Sequence, residues 1–266
     1  MSLPSFNEHD GHAKLSPLTG PSKPAPSVVS WLSRVTDGRD RSSLRVLDLG
    51  CGKGGTVAWL LEQGFDAYGM DVRAEYVDNG RAYLGADRLA VLDRGSYPYP
   101  DDHFDIVISN QVFEHVADLG ELAREVARTT KPGGLGLHIF PARWVFTEPH
   151  MHTPIVHWLP KGGIRRLGIK LALGAGWAAP YFVERTLDER TEIFSQYSDN
   201  ETFYRAPRLI RRVLEAAGLS VDFTEASRDR LLSKLGTRRR LPGPVDRVAV
   251  WAYRNTRMMC LTTVKV

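Results

Sequence analysis

The sequence predicts an α/β protein with a doubly wound seven-stranded sheet, mostly parallel and with an antiparallel last strand. Three observations predict it. Strand-like runs alternate with helical patterns through the first half of the chain, the first run opens into a glycine-rich turn at 50–55, and two further strand-like runs follow one helix near the end. Residues 1–27 are rich in Pro, Ser and Gly and poor in large apolar groups, the composition of a flexible arm or of a strap ordered by the rest of the fold. Residues 28–266 are read as the folded domain.

The elements follow in order. Strand-like runs are RVLDL (45–49), DAYGMD (66–71), RLAVLD (88–93), FDIVIS (104–109), LGLHIF (135–140), LSVDFTE (219–225) and VDRVAVWAY (245–253). Helical spacing covers 55–63 and 118–130 between the early runs. A helix headed by Pro207, with Ile210, Val213, Leu214 and Ala217 at helical spacing, stops at Gly218, and the last two strands after it are expected to form a hairpin. Residues 142–200 and 226–244 exceed what a sheet needs and are read as a lid insertion and a loop insertion. In open α/β sheets both would leave from the side where ligands bind.

Composition sets the class. The chain has 266 residues, 42% of them hydrophobic and 25% charged, as in a globular protein with a substantial core. No apolar run approaches the roughly 20 residues needed to cross a bilayer. The N-terminal residues lack the charged start and apolar centre of a secretory signal, so a cytoplasmic location is expected. Of the two cysteines, Cys51 sits in the glycine turn and Cys260 near the end, which argues against a disulfide framework. A net charge of +4 is compatible with nucleic acid or an anionic membrane and diagnostic of neither.

The turn VLDLGCGKGG, 46–55, has the spacing G-x-G-x-x-G, which suits any ligand brought close to backbone at a helix N-terminus. Asp48 separates the readings. A carboxylate two positions before the first glycine repels a pyrophosphate and attracts an ammonium group. Asp48, Leu49, Gly50, Cys51, Gly52, Lys53 and Gly54 resemble the first motif of class I S-adenosylmethionine (SAM)-dependent methyltransferases. That resemblance implies a Rossmann-like sheet and SAM as cofactor. Asp71, at the end of the second strand, is placed to accept from both ribose hydroxyls, a feature that fits NAD and SAM alike. The resemblance extends to Asp93, which would accept from the adenine amino group, and to FDIVISNQVFEHV (104–116), whose backbone around Ser109 and Asn110 would face the methionine part. KPGG (131–134) matches the turn before the fifth strand and is assigned no ligand contact. The cofactor residues so implied are Asp48, Gly50, Cys51, Gly52, Gly54, Asp71, Asp93 and Asn110.

Methyl transfer from a sulfonium is an in-line displacement, so holding acceptor and methyl carbon in line in a desolvated pocket supplies much of the catalysis. A hydroxyl acceptor must also lose its proton, for which histidine is the usual side chain near neutral pH. The insertion holds Glu148, His150, His152 and His157; the three histidines are the candidate catalytic residues, and His115 is given a structural or cofactor-pocket role. Glu148, His150 and His152 could share a face on an extended segment and hold a metal, but no metal is assigned. Asn110, Gln111, Val112 and Phe113 lack the two prolines of methyltransferases that modify base amines or glutamine amides, which argues against a base amino-methyltransferase and leaves other nucleic-acid methylations open; no specific nucleic-acid partner is expected.

Residues 161–178 place Ile164, Leu167, Leu171 and Ala175 on one helical face, with Arg165, Arg166 and Lys170 toward the other. This suits a lid packed on the domain, or peripheral contact with an anionic membrane. The run Arg238, Arg239, Arg240 is read as a solvated loop. The expected function is methyl transfer from SAM to a small-molecule, sugar or lipid-intermediate acceptor, on oxygen first. A noncatalytic partner-binding protein and a NAD-dependent oxidoreductase are the alternatives.

Overall fold

The computed structural model describes residues 3–7, 16–92, 97–237 and 239–266. Seven strands, β1 (Arg45–Leu49), β2 (Asp66–Asp71), β3 (Leu89–Val91), β4 (Phe104–Asn110), β5 (Thr130–Pro141), β6 (Leu219–Asp222) and β7 (Met258–Lys265), form one sheet in the order 3-2-1-4-5-7-6. The pairs among β1 to β5 are parallel, and β7 runs antiparallel to both β5 and β6. Strands at the middle of such a sheet are covered on both faces, and β1 accordingly buries Val46, Leu47, Asp48 and Leu49 in succession.

Helices cover the two faces. Helices α1 (Pro26–Val35), α2 (Gly55–Glu62), α3 (Ala74–Leu84) and α8 (Thr224–Lys234) place Trp31, Leu32, Val57, Leu60, Val77 and Ala226 in a core with Val46, Ile106 and Ile108. Helices α4 (Leu119–Thr129) and α7 (Pro207–Ala216) place Leu122, Val126, Ile210 and Leu214 in the opposite core with Leu47, Val107 and Leu261. The alternating order and the antiparallel seventh strand agree with the sequence reading.

The seventh strand, however, lies elsewhere than expected. Residues 245–253 belong to helix α9 (Gly243–Thr256), and β7 is the segment after it. The β-branched and aromatic content of VDRVAVWAY is overridden by tertiary context. Pro244 stands at the first turn, which favours a helix start. The last two strands are neighbours, but α8 and α9 lie between them, so they are no tight hairpin. Strand β5 also starts earlier than expected and takes in KPGG, where its register against β4 shifts.

Residues 142–200 build a third core. Helices α5 (Gly163–Gly174) and α6 (Leu187–Asn200) pack Ile169, Ala172, Leu173, Ile193, Phe194 and Tyr197 together with Met151 and Val156. Phe6, from the start of the chain, completes it: its ring stacks on Tyr197 at 4.1 Å and meets Phe194 edge-on at 5.0 Å. The face of α5 that packs is not the row Ile164, Leu167, Leu171, which stays exposed. Arg165 turns inward instead, donating to the carbonyls of Leu159 and Ser198, and so rotates the apolar row outward. Residues 16–25 cross the front of α2 and α3, where Ser22 N–H donates to the Gly55 carbonyl and Leu18 N–H to Asn79 Oδ1. Among the described residues no helix is long and apolar enough to cross a membrane.

Candidate active site

The glycine turn leaves β1 with Gly50, Gly52 and Gly54 all at positive φ, of which Gly54 caps the N-terminus of α2. The turn is tied to the end of β2: the N–H groups of Gly50 and Cys51 both donate to the Met70 carbonyl, and Gly52 N–H donates to Asp71 Oδ2 at 2.8 Å. The other Asp71 oxygen accepts from Arg73 N–H at 3.0 Å. Each carboxylate oxygen can accept a further hydrogen bond. Asp71 thereby faces a cavity of about 450 Å³ that Gly50, Val72, Gln111, His115 and His150 also line.

The cavity therefore runs from the glycine turn to the insertion. Gln111, just past β4, has φ +61, a conformation costly for a side-chain-bearing residue, and its N–H is held by the Ile139 carbonyl. His115 Nδ1 lies 2.8 Å from the Glu201 carbonyl, and the His115 and His150 rings meet edge-on at 4.9 Å. The backbone around His150 is pinned by a buried carboxylate. Glu148 Oε2 accepts from the N–H groups of His150 and Met151, and Tyr204 O–H donates to Oε1. Glu114, 1% exposed, lies beside them.

Burial governs the ionisation here. The Glu114 carboxyl is pushed up to about 8, first by burial and then by the Glu148 charge, while the turn backbone opposes the shift. Burial also raises Glu148 and lowers His115, leaving that imidazole neutral near pH 7. Asp48, beneath the glycine turn, is pushed up to about 7 by burial and by the neighbouring Asp71 charge, against a hydrogen bond from Thr56. Burial raises the Cys51 thiol as well, so it is no thiolate nucleophile.

A family model described as a methyltransferase domain matches residues 47–137, the stretch that carries the glycine turn, Asp71 and the β4 motif. Residues 47–137 thus carry a methyltransferase domain of the class I SAM-dependent kind. Over 120 residues, this methyltransferase domain is 31% identical to an uncharacterized methyltransferase of Mycobacterium sp. strain KMS, covering 45% of the chain and 46% of that protein. It is 28% identical over 184 residues to a malonyl-[acyl-carrier protein] O-methyltransferase of Halorhodospira halophila, covering 66% of the chain and 58% of the relative. The chain thus spans about half the length of these curated relatives. In fold, it is similar to an S-adenosylmethionine-dependent methyltransferase from Mesorhizobium loti, with TM-score 0.52 at 16% identity, over 88% of this chain and 97% of that one.

Within this chain the residues singled out from sequence take different places. Gly50 and Asp71 line the cavity, and Gly52 and Gly54 shape the turn that bounds it. Asp48 and Cys51 support the turn from below and do not line the cavity. Asn110 is exposed at the end of β4, and the cavity is lined instead by its neighbour Gln111. Asp93 and Arg238 lie outside the described residues.

Of the three lid histidines, His150 reaches the cavity. His152 is exposed at φ +56. His157 is buried with its ring 5.0 Å from Tyr204, and is lowered to about 4 by burial and by Arg165. Glu148, His150 and His152 do not come together as a ligand set, because Glu148 is occupied by backbone donors and Tyr204. The structure instead gathers Glu114, His115 and His150, whose possible ligand atoms all lie within 4.8 Å of one another. The EH pair on the β4 motif was visible in the sequence. Its approach to His150 was not, since it depends on how the insertion folds back.

Proposed function

We propose that this protein transfers the methyl group of SAM to a hydroxyl of a small-molecule acceptor, and that the acceptor docks against His150. The observation that carries the reading is the single cavity that joins Gly50 and Asp71 at one end to His115 and His150 at the other. Cofactor at the first end would direct its methyl carbon toward the second. In this reading Asp71 accepts the ribose hydroxyls, the exposed Val72 side chain offers an apolar face to the adenine ring, and the proton of the acceptor is lost beside the histidines. An oxygen acceptor is supported by relatives such as the malonyl-[acyl-carrier protein] O-methyltransferase. Sugars and lipid intermediates belong to the same proposal, as does a cytoplasmic location.

The exposed row Ile164, Leu167 and Leu171 on α5 supports a second element, peripheral contact of residues 161–178 with a membrane. Cosedimentation with anionic vesicles, compared between wild type and Leu167→Asp, tests it; equal sedimentation of the two proteins removes it.

The test of the main reading combines binding with turnover. SAM binding is measured calorimetrically and acceptors are screened by homocysteine release in a coupled assay. Asp71→Ala is expected to weaken SAM binding at least about tenfold, since charge-assisted hydrogen bonds contribute roughly 1.5–3 kcal/mol each. His150→Ala is expected to lower turnover by roughly 100-fold with SAM affinity nearly unchanged. Normal turnover in His150→Ala on the true acceptor rules out its role. SAM binding without turnover on any acceptor favours a noncatalytic partner-binding protein.

A further inference from the structure

We propose that Glu114, His115 and His150 form a binding site for one divalent transition-metal ion of the Zn²⁺ class, open to the acceptor end of the cavity. Ion binding stands apart from the methyl-transfer reading; only the chemical use of the ion rests on it.

The first observation is an unsatisfied charge-bearing group. Glu114 is 1% exposed, and beyond the approach of its own backbone N–H neither of its carboxylate oxygens meets a hydrogen-bond partner among the described residues. Buried polar groups are nearly always paired, so two orphaned oxygens on one carboxylate call for a ligand. No Lys or Arg among the described residues forms an ion pair with Glu114 or with its buried neighbour Glu148. Two buried carboxyl groups without a cationic side chain make a place where a cation is stabilised.

The second observation is the chemistry of the donors. His115 Nδ1 lies 2.8 Å from the Glu201 carbonyl, a group that can only accept, so the proton is on Nδ1 and the lone pair is on Nε2. That Nε2 is 3.9 Å from Glu114 Oε1. A carbonyl that fixes the tautomer of a histidine is the usual outer support of a metal ligand. The backbone of His150 is anchored by its N–H on Glu148, which fixes where its ring approaches His115. With bonds of about 2.0–2.2 Å to each donor, two donors on one ion stand at most about 4.4 Å apart. The observed limit of 4.8 Å is closed by a small side-chain movement.

The third observation is placement. His115 and His150 line the cavity while Glu114 lies behind them, so the ion would be held from one side and left open on the other. Two histidines and one glutamate with an open position suit a catalytic ion rather than a structural one. A hydroxyl bound there loses its proton to water more readily. Its oxygen then bonds to the methyl carbon as the carbon–sulfur bond breaks, and the electron pair of that bond passes to sulfur, giving S-adenosylhomocysteine.

The experiment uses the full chain stripped with chelator and titrated calorimetrically with Zn²⁺ and with Mn²⁺, alongside S-adenosylhomocysteine as a check on the fold. Wild type should take up one equivalent of Zn²⁺ and melt at a higher temperature with it. His115→Gln and His150→Ala should each weaken Zn²⁺ binding at least about tenfold. Glu114→Gln discriminates further. Removing a buried carboxyl should raise the melting temperature of the stripped protein while abolishing the rise produced by Zn²⁺, an opposite pair of effects that misfolding cannot imitate. The proposal is overturned if wild type takes up no Zn²⁺ or Mn²⁺, or if the three variants bind as wild type does. Absence of metal uptake by wild type with S-adenosylhomocysteine binding intact defeats this proposal alone, whereas failure to bind S-adenosylhomocysteine defeats the methyl-transfer reading.

Discussion

Replacing Gly50 by alanine puts the glycine turn under two separable loads. A Cβ added there would stand 2.3 Å from Val112 Cγ2, and the residue holds φ +74. The left-handed backbone costs an alanine about 1–2 kcal/mol. Relieving the overlap costs about 1–3 kcal/mol more, as in other overpacked sites. The sum predicts a destabilisation of about 2–5 kcal/mol, measured by urea denaturation. Val112 packs against the core that holds Leu47 and Val107, so its escape is toward the cavity it lines. Affinity for S-adenosylhomocysteine should therefore fall at least about tenfold, each tenfold being about 1.4 kcal/mol. Adding Val112→Ala removes the overlap and leaves the backbone term. The double variant should recover about 1–3 kcal/mol relative to additivity, the coupling expected of residues in contact. A Gly50→Ala loss below about 1 kcal/mol, or strict additivity with Val112→Ala, refutes the reasoning that this turn is set by close packing.

Two more outcomes are expected. The Asp48 carboxyl is pushed up to about 7 in the folded state from an ordinary value of 3.8, so the folded protein keeps a proton that the unfolded chain has lost. Stability should then fall as pH rises from about 4 to about 7 and stay low above it, by on the order of 2–4 kcal/mol relative to Asp48→Asn. Parallel stability curves for the two proteins between pH 4 and pH 8 would rule this out. Phe6→Ala should release the start of the chain from α6, since truncating a buried phenylalanine costs roughly 3–5 kcal/mol. Hydrogen exchange at residues 193–197 should accelerate, and unchanged protection there would show that Phe6 does not anchor the insertion.

Much of the sheet was legible because the early strands are short apolar runs, two of them closed by glycine or by an acidic residue. RVLDL, DAYGMD and FDIVIS all became strands. The end of the chain was not. VDRVAVWAY has strand composition but forms helix α9, with Val245, Val248 and Trp251 exposed, while the true β7 owes its place to pairing with β5 and β6. The packed face of α5 was misjudged for a similar reason: one inward arginine, satisfied by carbonyls, outweighed the apolar spacing. In the site, Gly50 and Asp71 could be placed from local motif alone because β1 and β2 are adjacent. The grouping of Glu114 and His115 with His150 depends on a long-range fold that no local pattern encodes.

The hydrogen bond from Asn7 Nδ2 to Glu201 Oε2, 2.6 Å long, connects the start of the chain to the residue whose carbonyl fixes the tautomer of His115. Asn7 also lines the cavity. Asn7 is therefore part of the wall of the chamber that the proposed acceptor would enter. Substituting Asn7 would alter that wall and the support of the His115 ring together. On the proposed reading, acceptor preference is thus open to change from two distant stretches of sequence at once, at Asn7 and in the insertion.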